Sequence, residues 1–351
     1  MFKLDARRCL VLVKYNGKDI STDLQQYLKS VSYTDNMSGE ADDLQLTLED
    51  KAGLWQAAWM PEKGATLDVS VKLMNWQSIG VQQVRFGLFE IDEITSSGMP
   101  SEVQIKAVSV PDDNNLRGTE RTRSWEKAEL KRIANDIATE AKLTLYYDPK
   151  NYNPVIKRVE QTEQSDLSFL YKLCADHGLA LKICNKQLVI FDEADYEKAE
   201  AVALVPKPKA TYTANGLKVL TMLESYSLRS KVRDVYKACH VKYQSGKKKQ
   251  KIETTFTDKG KQVGKTLQVN EQVASIADAE RLAKIRLREK NSEEVTGSFT
   301  FLGNPELAAG INILLQGFGA FDGKYIITKA QHELGNGYTT SIDVRRCLDG
   351  Y

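Results

Sequence analysis

Three side chains that serve nucleophilic or metal chemistry stand within four positions: Cys174, Asp176 and His177, in "EQSDLSFLYKLCADHGL" from Glu163 to Leu179. A catalytic Cys–His pair needs a side-chain hydrogen bond beside an open cleft. The spacing predicts something plainer. Leu167, Leu170, Tyr171 and Cys174 fall at i, i+3, i+4 and i+7, widened by Phe169 and Leu173, which is the inner stripe of an amphipathic helix. On that stripe Cys174 is a small hydrophobe. His177 stands in the last turn before Gly178, where a cation favours the helix dipole and glycine supplies the left-handed cap. Asp176 takes the polar side. Cys174 and His177 still lie within reach on a helix surface, so spacing alone leaves the pair open. As a metal site, Cys174, His177 and Cys184 provide three ligands where a structural zinc takes four.

The other motifs are weaker. "GKQVGKT", Gly260 to Thr266, has three residues between its glycines where a phosphate loop has four, and a strand-like "LQVNEQV" follows it. "HELGN" at His332 lacks the second histidine of a zinc-protease helix. With three histidines in all (His177, His240, His332), acid–base chemistry falls to carboxylates such as Glu163 or Asp166, and no pair of them is patterned. No cofactor, metal or catalytic constellation is expected. Lys247, Lys248, Lys249 and Lys251 cluster at a hairpin tip. They read either as a solvated turn or as a contact for an acidic partner surface or passing DNA, with no aromatic residues interleaved for base stacking.

The elements around these residues are mostly β. Leu44, Leu46 and Leu48 alternate with polar residues, as do Leu67, Val69, Val71 and Leu73, so each strand has one buried face. Trp55 and Trp59, spaced i, i+4, predict one helical turn that buries both. "FGLFEIDEI" and "SEVQIKAVSV" form a hairpin across "TSSGMP". A polar linker is expected over Pro111–Arg123, then a helix capped by Ser124 with a stripe of Ala134, Ile137, Ala138 and Ala141. "LALKI" and "QLVIF" pair across Asn185 and Lys186. Further on, "DVYKACHVKYQ" and "KIETTFTD" flank the lysine turn. A helix follows, with Ser275 and Asp278 at capping-box spacing and Ile276, Ala279, Ala283 and Leu287 on one face.

The two β regions repeat each other. "GATLDV" at Gly64 compares with "AGINIL" at Gly310, and Gly87, Phe89, Ile91 and Ile94 align with Gly323, Tyr325, Ile327 and Ala330. Ile105 and Ile342 then fall in matching closing strands. The expected fold is mainly β (α+β): two antiparallel β-barrel domains, 1–115 and 206–351, the second with one long helix, and a small α+β domain at 116–205 between them.

Composition is that of an ordinary globular chain, with 42% hydrophobic and 27% charged residues in 351. A net charge of +2 gives no general attraction to nucleic acid or membranes. Five scattered cysteines and no secretory signal predict reduced thiols and synthesis in a cytoplasm, and no apolar run approaches the ~18 residues of a membrane span.

Taken together, "SVSYTDNMSGEADDLQLTLEDKAGLW", "FGLFEIDEI", "EQSDLSFLYKLCADHGLALKI" and "FDGKYIITKAQHEL" resemble the phage late control protein D family, the tail hub of contractile-tailed phages and phage-like particles, over essentially the whole chain. The hub part of type VI secretion spike proteins is related. The resemblance implies two tail-tube-like barrels and an inserted domain, with three chains forming a homotrimeric ring of pseudo-six-fold symmetry. Such a ring would join the hexameric tail tube above to the trimeric spike below, contact other baseplate proteins, and meet DNA only as it passes through the lumen. It also implies a structural, non-enzymatic protein built into the baseplate of a virion or similar particle, with the spike tip on a separate polypeptide, since Tyr351 follows the last strand. The alternative is a peptidoglycan-cleaving or cell-wall-binding hub that acts through its middle domain.

Overall fold

The computed structural model describes residues 6–76, 80–110, 116–150, 152–231, 233–244, 251–261, 263–348 and 350–351. The fold is mainly β, as the alternation requires. Five strands form the first half of the repeat: β1 (Leu28–Asn36), β2 (Asp43–Glu49), β3 (Thr66–Met74), β4 (Val81–Ser97) and β5 (Glu102–Val108). All pair antiparallel in the order β1-β2-β5-β4-β3, and Arg8–Tyr15 adds outside β3. The inward residues Leu44, Leu46, Leu48, Leu67, Val69, Val71 and Leu73 are each at most 2% exposed and share one core with Val13, Phe89 and Ile105. Burial of each such side chain contributes about 1.5–3 kcal/mol.

The second half uses β6 (Leu223–Ser230), β7 (Val295–Leu302), β8 (Asn312–Gln316), β9 (Gly323–Gly335) and β10 (Gly337–Arg346). Their order, β6-β7-β10-β9-β8, matches the first, and Ala203–Pro206 adds in parallel outside β8. Even the irregularities coincide. Pairing slips between Leu28 and Ser30 in β1 and between Leu223 and Ser225 in β6. It slips again between Ile91 and Glu93 in β4 and between Ile327 and Lys329 in β9. Gly64 N–H donates to the Ile91 carbonyl at 2.9 Å, and Gly310 N–H to that of Ile327 at 2.8 Å. Gly87 and Gly323 take φ of +144° and +136°, a region that glycine enters without a Cβ clash. The repeat is one of hydrogen bonding as well as of letters.

The halves differ most in one connection. Residues 37–42 link β1 to β2, whereas 231–294 link β6 to β7. The longer link carries the sheet Lys251–Thr257, Tyr236–Gln244, Lys265–Val269 and the helix Ile276–Asn291, packed about Cys239, Val241, Ala279, Ala283 and Leu287. The long helix therefore covers a small sheet of its own.

Between the halves, the ribbon Glu120–Glu129 with Val155–Ser165 leads into the helices Leu130–Glu140 and Asp166–Asp176, which cover a sheet of Thr144–Tyr147, Gln187–Phe191 and Ala180–Cys184. Asn185 and Lys186 both take positive φ, the conformation a tight two-residue hairpin requires.

Several expectations change. Ser124 caps nothing: it lies within a strand opposite Glu160, and the helix begins at Leu130. Its first N–H groups are met by the Pro154 carbonyl and Asn153 Oδ1, each at 3.0 Å, so no cap from its own chain start is needed. The linker expected over 111–123 is cut short: Leu116 is buried and a strand begins at Glu120, while 111–115 lies outside the described residues. Trp55 is buried, but Trp59 is 41% exposed in a run of turns, edge-on to Tyr27 and Trp55. Ile276 is 66% exposed, because the helix meets its sheet only from Ala279 onward.

Gly178 takes φ +70°, and a Cβ there would stand 2.7 Å from Ile285 Cγ1 on the long helix. Gly39, at φ +84°, has open space around it. Gly178→Ala should lower stability by about 1–3 kcal/mol more than Gly39→Ala, the overpacking cost beyond backbone strain. Equal denaturation midpoints for the two variants would disprove that contact.

Candidate assembly surfaces

The two halves meet through a strand pair. β1 runs antiparallel to β9, with Val31 opposite Leu334, Tyr33 opposite His332 and Asp35 opposite Ala330. This ladder carries one half's sheet into the other's. Above it lies an aromatic cluster drawn from both halves. The His332 ring stacks on Phe86 and Tyr33, with centroids 5.3 and 5.7 Å away. Its Nδ1 lies 3.0 Å from the Tyr338 hydroxyl and 3.1 Å from Thr340 Oγ1. Burial pushes its pKa down to about 4, with Asp35 opposing, so the ring is neutral. Trp76 Nε1 of the first half donates to the Gly303 carbonyl of the second at 2.6 Å. A Cβ at Gly303 would come within 2.1 Å of Tyr338, so the bare backbone is what lets that ring lie flat.

A charged node ties the middle region to both halves. Lys182 Nζ, from the central hairpin, contacts Asp35, Asp42 Oδ1 at 3.1 Å and the Asn36 carbonyl at 2.7 Å. Asp35 Oδ2 accepts from Ala309 N–H of the second half at 2.8 Å. Ser109 Oγ donates to the Ile183 carbonyl and accepts from Asp42 N–H. Burial raises the Asp42 pKa against the pull of Lys182, while the two carboxylates outweigh burial and raise that of Lys182. A second node joins Glu197 and Glu193 of the helix Glu193–Lys198 to Arg345 of β10, Arg288 of the long helix and Ser38. Its Glu197 Oε2 also accepts from Leu348 N–H at 2.8 Å. Neither node shows in the sequence pattern. Lys182 occupies the polar position of an alternating strand, between buried Leu181 and Ile183, and that spacing marks an outward residue.

The residues singled out for chemistry scatter over the structure. Cys174 is fully buried, and burial pushes its thiol up to about 12, which leaves it without thiolate character. Phe169, Leu170 and Leu173 share its buried face, with Leu167 and Tyr171 half-buried at the margin. His177 ends the helix, but burial lowers its pKa, and its Nδ1 is 2.9 Å from the Tyr152 hydroxyl. The cation expected there is instead Arg281, which donates to the His177 carbonyl at 3.1 Å and lies over the Tyr152 ring. Asp166 is 2% exposed and engaged by Arg123 at 2.7 Å and Gln161 at 2.8 Å, while Glu163 is exposed. The GKQVGKT segment leads into the strand Lys265–Val269. Lys251 opens a strand and pairs with Glu253, and Lys247, Lys248 and Lys249 lie outside the described residues. Among the described residues no group of His, Cys, Asp and Glu is placed to hold a metal, and no helix is long and apolar enough to cross a membrane.

Two outcomes test this junction. Lys182→Ala leaves buried carboxylates without their cation and should cost about 3–5 kcal/mol, read from denaturant midpoints. The unfolded chain protonates His332 near pH 6.5 and the folded one only near 4. Its contribution is therefore full above pH 6.5 and lost as pH falls toward 4, by up to about 3 kcal/mol. His332→Asn should flatten that part of the stability–pH curve, and an unchanged slope between pH 7 and 4.5 would show that the ring is not kept neutral.

Comparisons with known proteins agree with this architecture. Against the probable baseplate hub protein of Escherichia phage P2 the chain is 31% identical over 170 residues, 48% of this chain and 41% of that protein. The matched part thus spans under half of that relative's length. A 43 kDa tail protein of prophage MuSo2 from Shewanella oneidensis superposes with a TM-score of 0.71 at 14% identity, covering 97% of this chain and 99% of that one. An Escherichia coli component of the type VI secretion system shares the fold with a TM-score of 0.59 at 14% identity, over 97% of this chain and 78% of that one. The family model for the phage tail baseplate hub (GPD) matches residues 90–338, from β4 through the middle region to β10, and the chain belongs to that family.

Proposed function

We propose that this chain is the ring subunit of a contractile tail's hub, with three copies joining the six-fold tail tube to the three-fold spike. The observation that carries this reading is the duplication, down to the position of two bulges. A trimer of a duplicated chain presents six near-equivalent units, so one face can meet a hexamer while the other keeps three-fold symmetry. Residues 1–115 and 206–351 act as the two tube-like domains and 116–205 as the inserted domain, a division supported by three hydrophobic cores centred on these parts, although Leu334 and Tyr338 join the first core and Ala203 and Val205 the third. The chain is made in the bacterial cytoplasm and built into the baseplate, with tube, spike and other baseplate proteins as partners. Its role is mechanical: surfaces are matched and no bond is made or broken. Lys247, Lys248, Lys249 and Lys251 are assigned to a partner surface or to DNA in transit.

A cell-wall-cleaving role for the middle domain finds no support in its geometry. Asp166, the better-placed carboxylate, is buried and neutralised by Arg123, so it is not presented to a substrate.

Imaging of assembled particles should find three copies of the chain at the tube–spike junction. Any other copy number sinks the proposal.

A further inference from the structure

The contact between the two halves of one chain predicts the contact between chains. Superposing the repeat pairs places Val31, Tyr33 and Asp35 of β1 on Tyr226, Leu228 and Ser230 of β6, since Val31 opposes Leu46 as Tyr226 opposes Phe299. It likewise places Ala330, His332 and Leu334 of β9 on Ile94, Ser96 and Gly98 in and just beyond β4, since Ala330 opposes Ile342 as Ile94 opposes Ile105.

The equivalents differ in one respect. β9 pairs with β10 along one side, and along the other with β8 over Gly323–Ile326 and then with β1 over Lys329–Leu334. β4 pairs with β5 along one side, and along the other with β3 only as far as Glu90. Among the described residues, nothing pairs with that side over 93–97. β6 is bare in the same way: β7 lies on one side, and no described strand lies on the other. Burial follows pairing. Val31 is 1% exposed against 42% for Tyr226, and Ala330 is 0% exposed where Ile94 is only half-buried. Two complementary half-interfaces are thus satisfied inside the chain, and among the described residues their two counterparts are open. Open edges of this kind are templates for strand addition.

We propose that β6 of one chain pairs antiparallel with the 93–97 edge of β4 in the next, in the register of the β1–β9 ladder. The occupant of each edge is a second copy of this chain. Ser97 then opposes Ser227, Ser96 opposes Leu228, Thr95 opposes Arg229, and Glu93 opposes Lys231, a favourable charge pair at the margin. The contact is head-to-tail, each chain giving one edge and receiving the other, so it generates a ring where the rotation closes. This inference rests on the ring assembly proposed above and specifies its interface.

Cysteines at directly opposed positions lie about 4.5–5.5 Å apart at Cβ, so a small shift of the edge brings them to the ~3.5–4.5 Å of a disulfide, whereas a pair displaced by four positions stays far outside it. The test is the full chain carrying Ser97→Cys and Ser227→Cys, oxidised in its oligomeric form and weighed by native and denaturing mass spectrometry. The unmodified chain serves as background for Cys9 and Cys184, and a Thr95→Cys, Ser225→Cys pair, displaced by four positions, as the register control. A covalent trimer from the in-register pair, absent from both controls, is the expected result. A native trimer that stays uncrosslinked, or that crosslinks equally well with the displaced pair, overturns the strand register and leaves the ring standing. A chain that is monomeric up to high micromolar concentration removes the ring and this interface together.

Discussion

The rest of the structure depends on the ladder between β1 and β9. Each half of the repeat holds its own core, yet neither half completes its own sheet. β1 completes the side of β9 that β8 leaves open, and in doing so buries Tyr33, Phe86, His332 and Tyr338 between the halves. Backbone N–H and C=O groups must be paired when buried, so this ladder fixes register, spacing and twist across the junction more tightly than apolar contact alone. The neutral His332 and the missing Cβ at Gly303 follow from it, because both sit where two sheets approach too closely for charge or bulk.

Polar burial supplies specificity at the other joints. The Asp35–Asp42–Lys182 node and the Glu197–Arg345–Arg288 node each draw residues from separate parts of the chain. Such ion pairs offset only part of their desolvation cost, and their use here is to permit one arrangement of the parts. Since Asp35 touches Lys182 and accepts from Ala309 as well, a displacement of the middle region loosens the half-to-half contact too.

Much of the fold was legible, and for identifiable reasons. Alternation in "LQLTL" and "LDVSVKL" reported burial correctly because a strand's period of two is a local property. The aligned glycines were visible because positive φ restricts the residue type wherever it occurs. Ser275 was legible as a cap, since its hydroxyl accepts from Asp278 N–H, but another helix start was less visible. Ser124 looked like a cap, yet Pro154 and Asn153, more than twenty residues on, met the N–H groups that a cap would have met. Trp59 and Ile276 kept the right spacing but had no surface opposite them to bury against.

By itself, the sequence determined the strand pattern, the duplication, the core character of Cys174 and the family. All of these rest on local periodicity or on residue type. The tertiary structure alone decided which strand completes which sheet, that Lys182 is an inward charge, that Arg281 rather than His177 carries the cation at the helix end, and which edges stay unpaired among the described residues. The reason is physical. Pairing partners, desolvation and charge compensation depend on residues dozens to hundreds of positions apart, and only the folded chain brings them together.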